Sequence, residues 1–174
     1  MYLLYNILLL AASPVLGLLM MVAAVSAGKY RSGISQKLGF VSPSVTRKLS
    51  GSRPVWIHAV SVGEVMAAIP LLQEMKGRYP GQTIVLSTVT ATGNHTAALK
   101  ARQADAVIYF PFDYPFMVGR AIKRIRPRLF ITMETELWPN FLRAMKRSGI
   151  PSVVVSGRIS NHSYNKYRLA RLFF

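Results

Sequence analysis

"PVWIHAVSVGEVMAAIPLL" (Pro54–Leu72) changes its periodicity midway, and that change decides the fold. The opening residues, Pro54 to Val60, are short, apolar and rich in Val, Ile and Trp, the signature of a buried strand. From Val65 the apolar positions recur at helical spacing to about residue 78. Between the two stands Ser61-Val62-Gly63-Glu64, and Glu64 is the first acidic residue of the chain. The alternation then repeats. Further strand candidates are "QTIVLST", "AVIYF", "RLFITM" and "PSVVV", with helix candidates at about 93–103, 115–126 and 139–148. In the last helix Pro139 suits the first position, Lys146 and Arg147 the last turn, and Gly149 the position after it. Strand and helix in regular alternation predict an α/β domain: a Rossmann-like parallel sheet covered on both faces.

Such sheets bind ligands beyond the carboxyl ends of their strands. The loops leaving those ends are "SVGE", "VTATGN", "PFDYP", "ETELWPN" and "SGRIS". Of only six acidic residues, Glu64, Asp113, Glu134 and Glu136 fall in these loops, leaving Glu74 on a helix and Asp105 before a strand. Scarce acids gathered on one edge mark it as the candidate site. Ser61 and Glu64 have the S-x-x-E spacing of a capping box, and Gly63 lets a ligand approach the backbone at a helix start that favours anions. A carboxylate there can equally take a proton from a hydroxyl nucleophile, so structural and catalytic readings of Glu64 both stand. Thr90, Thr92 and Gly93 offer hydroxyls and a helix start to a phosphate or sugar. Trp138 precedes Pro139 and is expected to be extended, which places Glu134 and Glu136 in an extended exit with alternating directions. Asp113 is expected to cap the helix that comes after it. His58, within a strand, reads as a core residue; His58, His95 and His162 lack metal-ligand spacing, and no D-x-D pair is present.

The composition bounds the partners. Twenty-two Lys and Arg against six acids, a net charge of +16, predict attraction to a polyanion. The absence of Cys excludes a disulfide framework and thiolate metal sites. Residues 1–28 carry no charged side chain and, at about 1.5 Å per helical residue, are long enough to cross a roughly 30 Å hydrocarbon layer. A membrane anchor is the leading expectation, with Pro14 as a kink. Its rivals are a cleaved signal peptide ending in "VSAG", which lacks the usual basic start, and a buried core helix, which would need protein on every side. Lys29, Arg31, Lys37, Arg47, Lys48 and Arg53 come after the apolar run, which predicts a cytoplasmic position for the rest of the chain, at the inner surface of a membrane. The same bases suit an anionic membrane surface and a helix lying in it. Residues 29–53 read as a basic linker or interfacial segment, and 54–174 as the domain. The basic helix end "RAIKRIRPR" is either a solvated face or a contact for a phosphate-bearing lipid. A nucleic-acid-binding protein would account for the charge. However, the aromatics show no stacking pattern and the clustered acids would repel phosphates, so no nucleic-acid partner is expected.

"WIHAVSVGEVMAAIPLL", "STVTATGN", "YFPFDYP", "METELWPN" and "SGRISNHSYNKY" occur in the order and approximate spacing of the bacterial 3-deoxy-D-manno-octulosonic acid (Kdo) transferases. The chain resembles that family from its apolar start to its last residue. The resemblance implies the N-terminal half of an inverting GT-B glycosyltransferase of lipopolysaccharide synthesis. This half would receive a lipid A precursor (a lipid IVA-like acceptor), while the donor CMP-Kdo would be held mainly by a C-terminal half outside these 174 residues. Glu64 matches the family's general base. Ser61, Gly63, Thr90, Thr92, Gly93, Glu134, Glu136 and Arg158 are the acceptor-binding candidates. No metal and no cofactor besides the donor are implied, in keeping with the missing D-x-D. The chain ends in "YRLARLFF", a pattern like a helix cut before its partner, and the expectation is that residues 1–174 alone bind an acceptor without transferring sugar. A membrane-anchored module that binds anionic glycolipid without catalysis is the alternative.

Overall fold

Five strands, β1 (Val55–His58), β2 (Ile84–Thr88), β3 (Ala106–Tyr109), β4 (Leu129–Met133) and β5 (Ser152–Val155), pair in parallel in the order β3-β2-β1-β4-β5. They belong to a computed structural model that describes residues 2–27 and 33–157, with side chains in the first helix described for residues 2–14 and Gly17. All five expected strands are present. The helices between them, α4 (Val62–Arg78), α5 (Ala91–Lys100), α6 (Pro115–Ile125) and α7 (Pro139–Arg147), agree with the periodicity to within a few residues. Strand order runs outward from β1 in both directions, so the crevice where it reverses lies between the exits of β1 and β4.

The pleat of the central strands divides the core in two. Trp56 on β1, Phe110 after β3 and Phe130 on β4 join Val118, Ile122, Phe141 and Met145 from α6 and α7. Val55, Ile57, Leu86, Ile131 and Met133 face the other way, onto Val65, Ala68 and Leu72 of α4 and Ala97 of α5. The first layer is aromatic: Trp56 meets the Phe141 ring edge-on at 5.0 Å, and its indole N–H donates to Ser87 Oγ at 2.8 Å. Burying such a ring with its polar atom satisfied is the largest single apolar gain a core position offers. His58 belongs to the same layer. It is fully buried and stacked on Phe110 at 3.8 Å, and burial pushes it down to about 3, so it is neutral core as its strand position indicated.

Ahead of the sheet lie α1 (Tyr2–Ala27), α2 (Ile34–Lys37) and α3 (Pro43–Lys48). Residues 33–53 pack on the domain instead of running free as a linker. Leu49 is buried in the aromatic layer with Val41 and Val45 against it, Gln36 Oε1 accepts from Tyr109 N at 2.7 Å, and Lys37 O accepts from Phe112 N at 2.8 Å. Gly33 and Gly39 make this seat possible. Both have positive φ, and a Cβ on either would overlap the Tyr109 ring or the Met117 carbonyl. α1 is continuous for 26 residues, Pro14 included. Among the described residues no helix is long and apolar enough to cross a membrane.

Candidate active site at the carboxyl edge

Glu64 sits in the first turn of α4, only 7% exposed, immediately beyond β1. Its Oε2 accepts from Val60 N at 2.8 Å and its Oε1 from the Ser61 hydroxyl at 3.0 Å. This departs from a reciprocal capping box. Ser61 is the N-cap residue, but its hydroxyl makes no cap hydrogen bond and donates into the carboxylate instead. A carboxylate has about four acceptor positions. Among the described residues two are used, both by neighbours in sequence, so the group is oriented while keeping lone pairs for a further proton donor.

The β2 exit closes against this loop. Thr90 caps α5, its Oγ1 accepting from Gly93 N at 3.0 Å, while Val89 N and Thr90 N both reach Val60 O at 3.3 Å. Gly93 is buried, and a Cβ there would stand 2.7 Å from Thr90 Oγ1 and 3.3 Å from Val60 O and the Ser61 backbone. Its smallness is a packing requirement between two loops. Gly63 differs: it is exposed, and a Cβ would find only Ser61 Oγ, at 3.9 Å. Thr90 and Thr92 are exposed as well.

Across the crevice, the β4 exit turns sooner than its Trp-Pro sequence suggested. Trp138 is extended, but Glu134 is left-handed at φ 55° and its N–H donates to Val155 O at 2.8 Å. Glu134 is therefore exposed at a tight turn, and Glu136 half-buried behind it. Burial, reinforced by the negative charges of Glu64 and Glu134, raises Glu136 above the ordinary glutamate range. The three glutamates thus share one electrostatic environment, which their separation in sequence could not establish. The Trp138 indole N–H is buried with no hydrogen-bond partner among the described residues. Trp138 was legible as part of the "ETELWPN" loop, but nothing in the spacing marked its N–H. Arg158 lies outside the described residues. Among the described residues no three His, Cys, Asp or Glu are placed to hold a metal ion.

Asp113 has a different task from the one its position suggested. It does not cap α6. Its Oδ1 accepts from Phe141 N at 2.8 Å and its Oδ2 from Asn140 N at 3.0 Å, so it caps α7, whose own N-cap residue, Trp138, cannot. Asn140 Nδ2 returns a bond to Asp113 O, and Tyr5 of α1 donates to Oδ2 at 2.9 Å. Burial pushes Asp113 up to about 6, against the pull of these donors toward the carboxylate form. The α1 contact continues: Asn6 pairs with Asn140, Ser13 with the Tyr114 hydroxyl, and Arg143 lies over the Tyr2 ring at 4.3 Å. Leu3, Leu4, Ile7, Leu8 and Leu10 remain exposed, between 52% and 75%.

The profile of the family described as 3-deoxy-D-manno-octulosonic-acid transferase (kdotransferase) matches residues 32–174. A 3-deoxy-D-manno-octulosonic acid transferase of Haemophilus influenzae is 36% identical over 165 residues, covering 94% of this chain and 38% of the relative. The transferase of the same name from Bordetella pertussis is 40% identical over 116 residues, covering 63% of this chain and 26% of its own length. A bifunctional glycosyltransferase/methyltransferase of Fusobacterium nucleatum is 31% identical over 145 residues, covering 80% and 22%. The chain therefore spans well under half the length of these relatives, and over that span it belongs to the Kdo transferase family.

Proposed function

We propose that this chain is the acceptor-binding, base-carrying half of an inverting glycosyltransferase that moves Kdo from CMP-Kdo to a sugar hydroxyl of a lipid A precursor. The observation that carries the reading is Glu64: a buried carboxylate at the strand-order reversal, held by two donors of its own loop and with acceptor positions to spare. In this reading the acceptor hydroxyl gives its proton to Glu64 as its oxygen bonds to the anomeric carbon of Kdo. The bond from that carbon to the CMP phosphate breaks on the opposite face, and its electron pair leaves with CMP. Gly63 leaves room for the sugar against the backbone. Thr90, Thr92, Glu134 and Glu136 line its approach, and Arg158 would serve the acceptor's negative groups. The family members' greater length supports placing the CMP-Kdo contacts on a second half.

The membrane reading goes with it. α1 carries no charged residue, docks through Tyr5, Asn6 and Ser13, and turns a leucine-rich face outward. With its first half held against the domain, α1 would lie in the cytoplasmic surface of the inner membrane and keep the carboxyl edge near the acceptor's head group.

Two measurements test these readings. Residues 1–174, given CMP-Kdo and acceptor, should form no product, and joining a C-terminal half from a family member should restore transfer. Turnover by the chain alone would refute the division of labour, and a joined protein that binds acceptor without transferring would leave a binding module. Partition into the membrane fraction, with residues 33–157 protected from protease added outside intact cells, is expected for the cytoplasmic placement.

A further inference from the structure

The basic helix end "RAIKRIRPR" has no part in the carboxyl-edge site, yet it lines a concavity at the opposite edge of the sheet. Two adjoining cavities, of about 320 and 290 Å³, share Thr46, Ser50 and Arg124. Arg47 lines the first, and Arg53 and Arg126 line the second. No carboxylate lines either. Among the described residues the two ion pairs, Lys76–Asp105 and Glu74–Arg78, involve none of these four guanidiniums.

Helix C-termini attract single bases, which accounts for Arg47 at the end of α3 and Arg124 at the end of α6. It leaves Arg53, in the segment before β1, and Arg126, outside the last turn of α6. Arg126 occupies the left-handed C-cap position (φ 52°, ψ 53°), where glycine is favoured, so an arginine is kept there against backbone preference. Thr46 and Ser52 donate to the Ser42 and Leu49 carbonyls, whereas the Ser50 hydroxyl has no partner among the described residues. Guanidinium forks match phosphate oxygens in pairs, and several around one space suit a doubly charged group better than a single carboxylate.

We propose that this double cavity is a second anion site, taking a phosphate monoester or diphosphate, independent of Glu64 and of the transfer reaction. The phosphate could be free or part of a lipid head group, and the test separates the sources. All four arginines are exposed, so substitution spares the fold. With the full chain in detergent at constant ionic strength, pyrophosphate should raise the melting temperature saturably. Arg47→Gln with Arg124→Gln should weaken that binding at least about tenfold, whereas Lys146→Gln with Arg147→Gln, the same charge loss at the end of α7, should not. If the source is a lipid, vesicles of phosphatidylcholine with phosphatidic acid should retain the chain better than vesicles with equal phosphatidylglycerol, and the first pair alone should abolish the preference. Saturable pyrophosphate binding without that preference assigns the site to a free phosphate. No saturable binding of either probe, or equal losses in both double variants, would overturn the proposal and leave a solvated basic face.

Discussion

Glu64 and Asp113 are both buried carboxylates just past the end of a strand, on the same edge of the same sheet, yet they are held in different ways. Asp113 is engaged from three directions, by two N–H groups of α7 and the hydroxyl of Tyr5 on α1. Those partners come from distant parts of the chain, so the carboxylate ties elements together. Among the described residues Glu64 is held by Val60 and Ser61 alone, and it faces a crevice whose other wall carries Glu136 and Glu134. Burial is common to both, and the number of donors and their origin are what differ.

The sharpest way to break the comparison is Glu64→Gln in a protein joined to a C-terminal half. The amide can still accept from Val60 N and donate to a reoriented Ser61 hydroxyl, so the melting temperature should hold. Transfer should fall by at least about 100-fold, and up to about 10,000-fold, because an amide cannot take the proton. A variant keeping more than about a tenth of the rate would reduce Glu64 to a loop brace and move attention to Glu136.

Asp113→Ala should show the mirror image. It removes a cap, worth about 0.5–2 kcal/mol, and leaves buried donors unpaired at about 1–3 kcal/mol. Chemical denaturation should record a loss of roughly 2–4 kcal/mol in total, while transfer at a temperature where the variant is folded changes only a few-fold. A large rate loss with stability intact would contradict the distinction.

Glu136 tests whether the acids across the crevice are coupled. Its raised pKa means that the folded state holds its proton to higher pH than the unfolded chain does. The stability this contributes is fully present below the ordinary glutamate range and is lost as pH rises through the raised value. Glu136→Gln should remove that slope, so the variant gains on the wild type as pH rises toward neutrality. Parallel stability curves would show that Glu136 titrates normally.

The smallest effect belongs to Gly63. Alanine at this exposed helical position would meet only Ser61 Oγ, at an ordinary 3.9 Å, and should stabilise by about 0.5–1 kcal/mol. If the acceptor sugar rests on that backbone, the same change should raise KM for acceptor. Greater stability with unchanged KM would remove Gly63 from the site.

Much of this architecture is local and therefore readable along the chain. Short Val- and Ile-rich runs between turn residues locate the strands, because a strand covered on both faces needs little else. Pro139 and Gly149 bracket α7 for reasons of backbone geometry that act within a few residues. The edge bearing the acids is given by the rule that every strand of a parallel sheet ends on the same side. Other features were not legible. Asp113 looks like a cap for the helix beside it, and only the packing of α6 against α7 brings it to the start of the latter. Residues 33–53 have the composition of a linker, but Leu49 and Gln36 find partners on a strand end and core that the chain has not yet reached. The left-handed turn at Glu134 depends on Val155, on the neighbouring strand.

The sequence by itself determined the element types, the parallel sheet and the loops that carry the acids, since these depend on periodicity and turn residues acting over a few positions. Only the tertiary structure decided which loops became neighbours. The order β3-β2-β1-β4-β5 sets β1 beside β4 and so places Glu64 opposite Glu136, 72 positions further along the chain. That choice belongs to the packing of two buried faces at once, which no short stretch of sequence encodes.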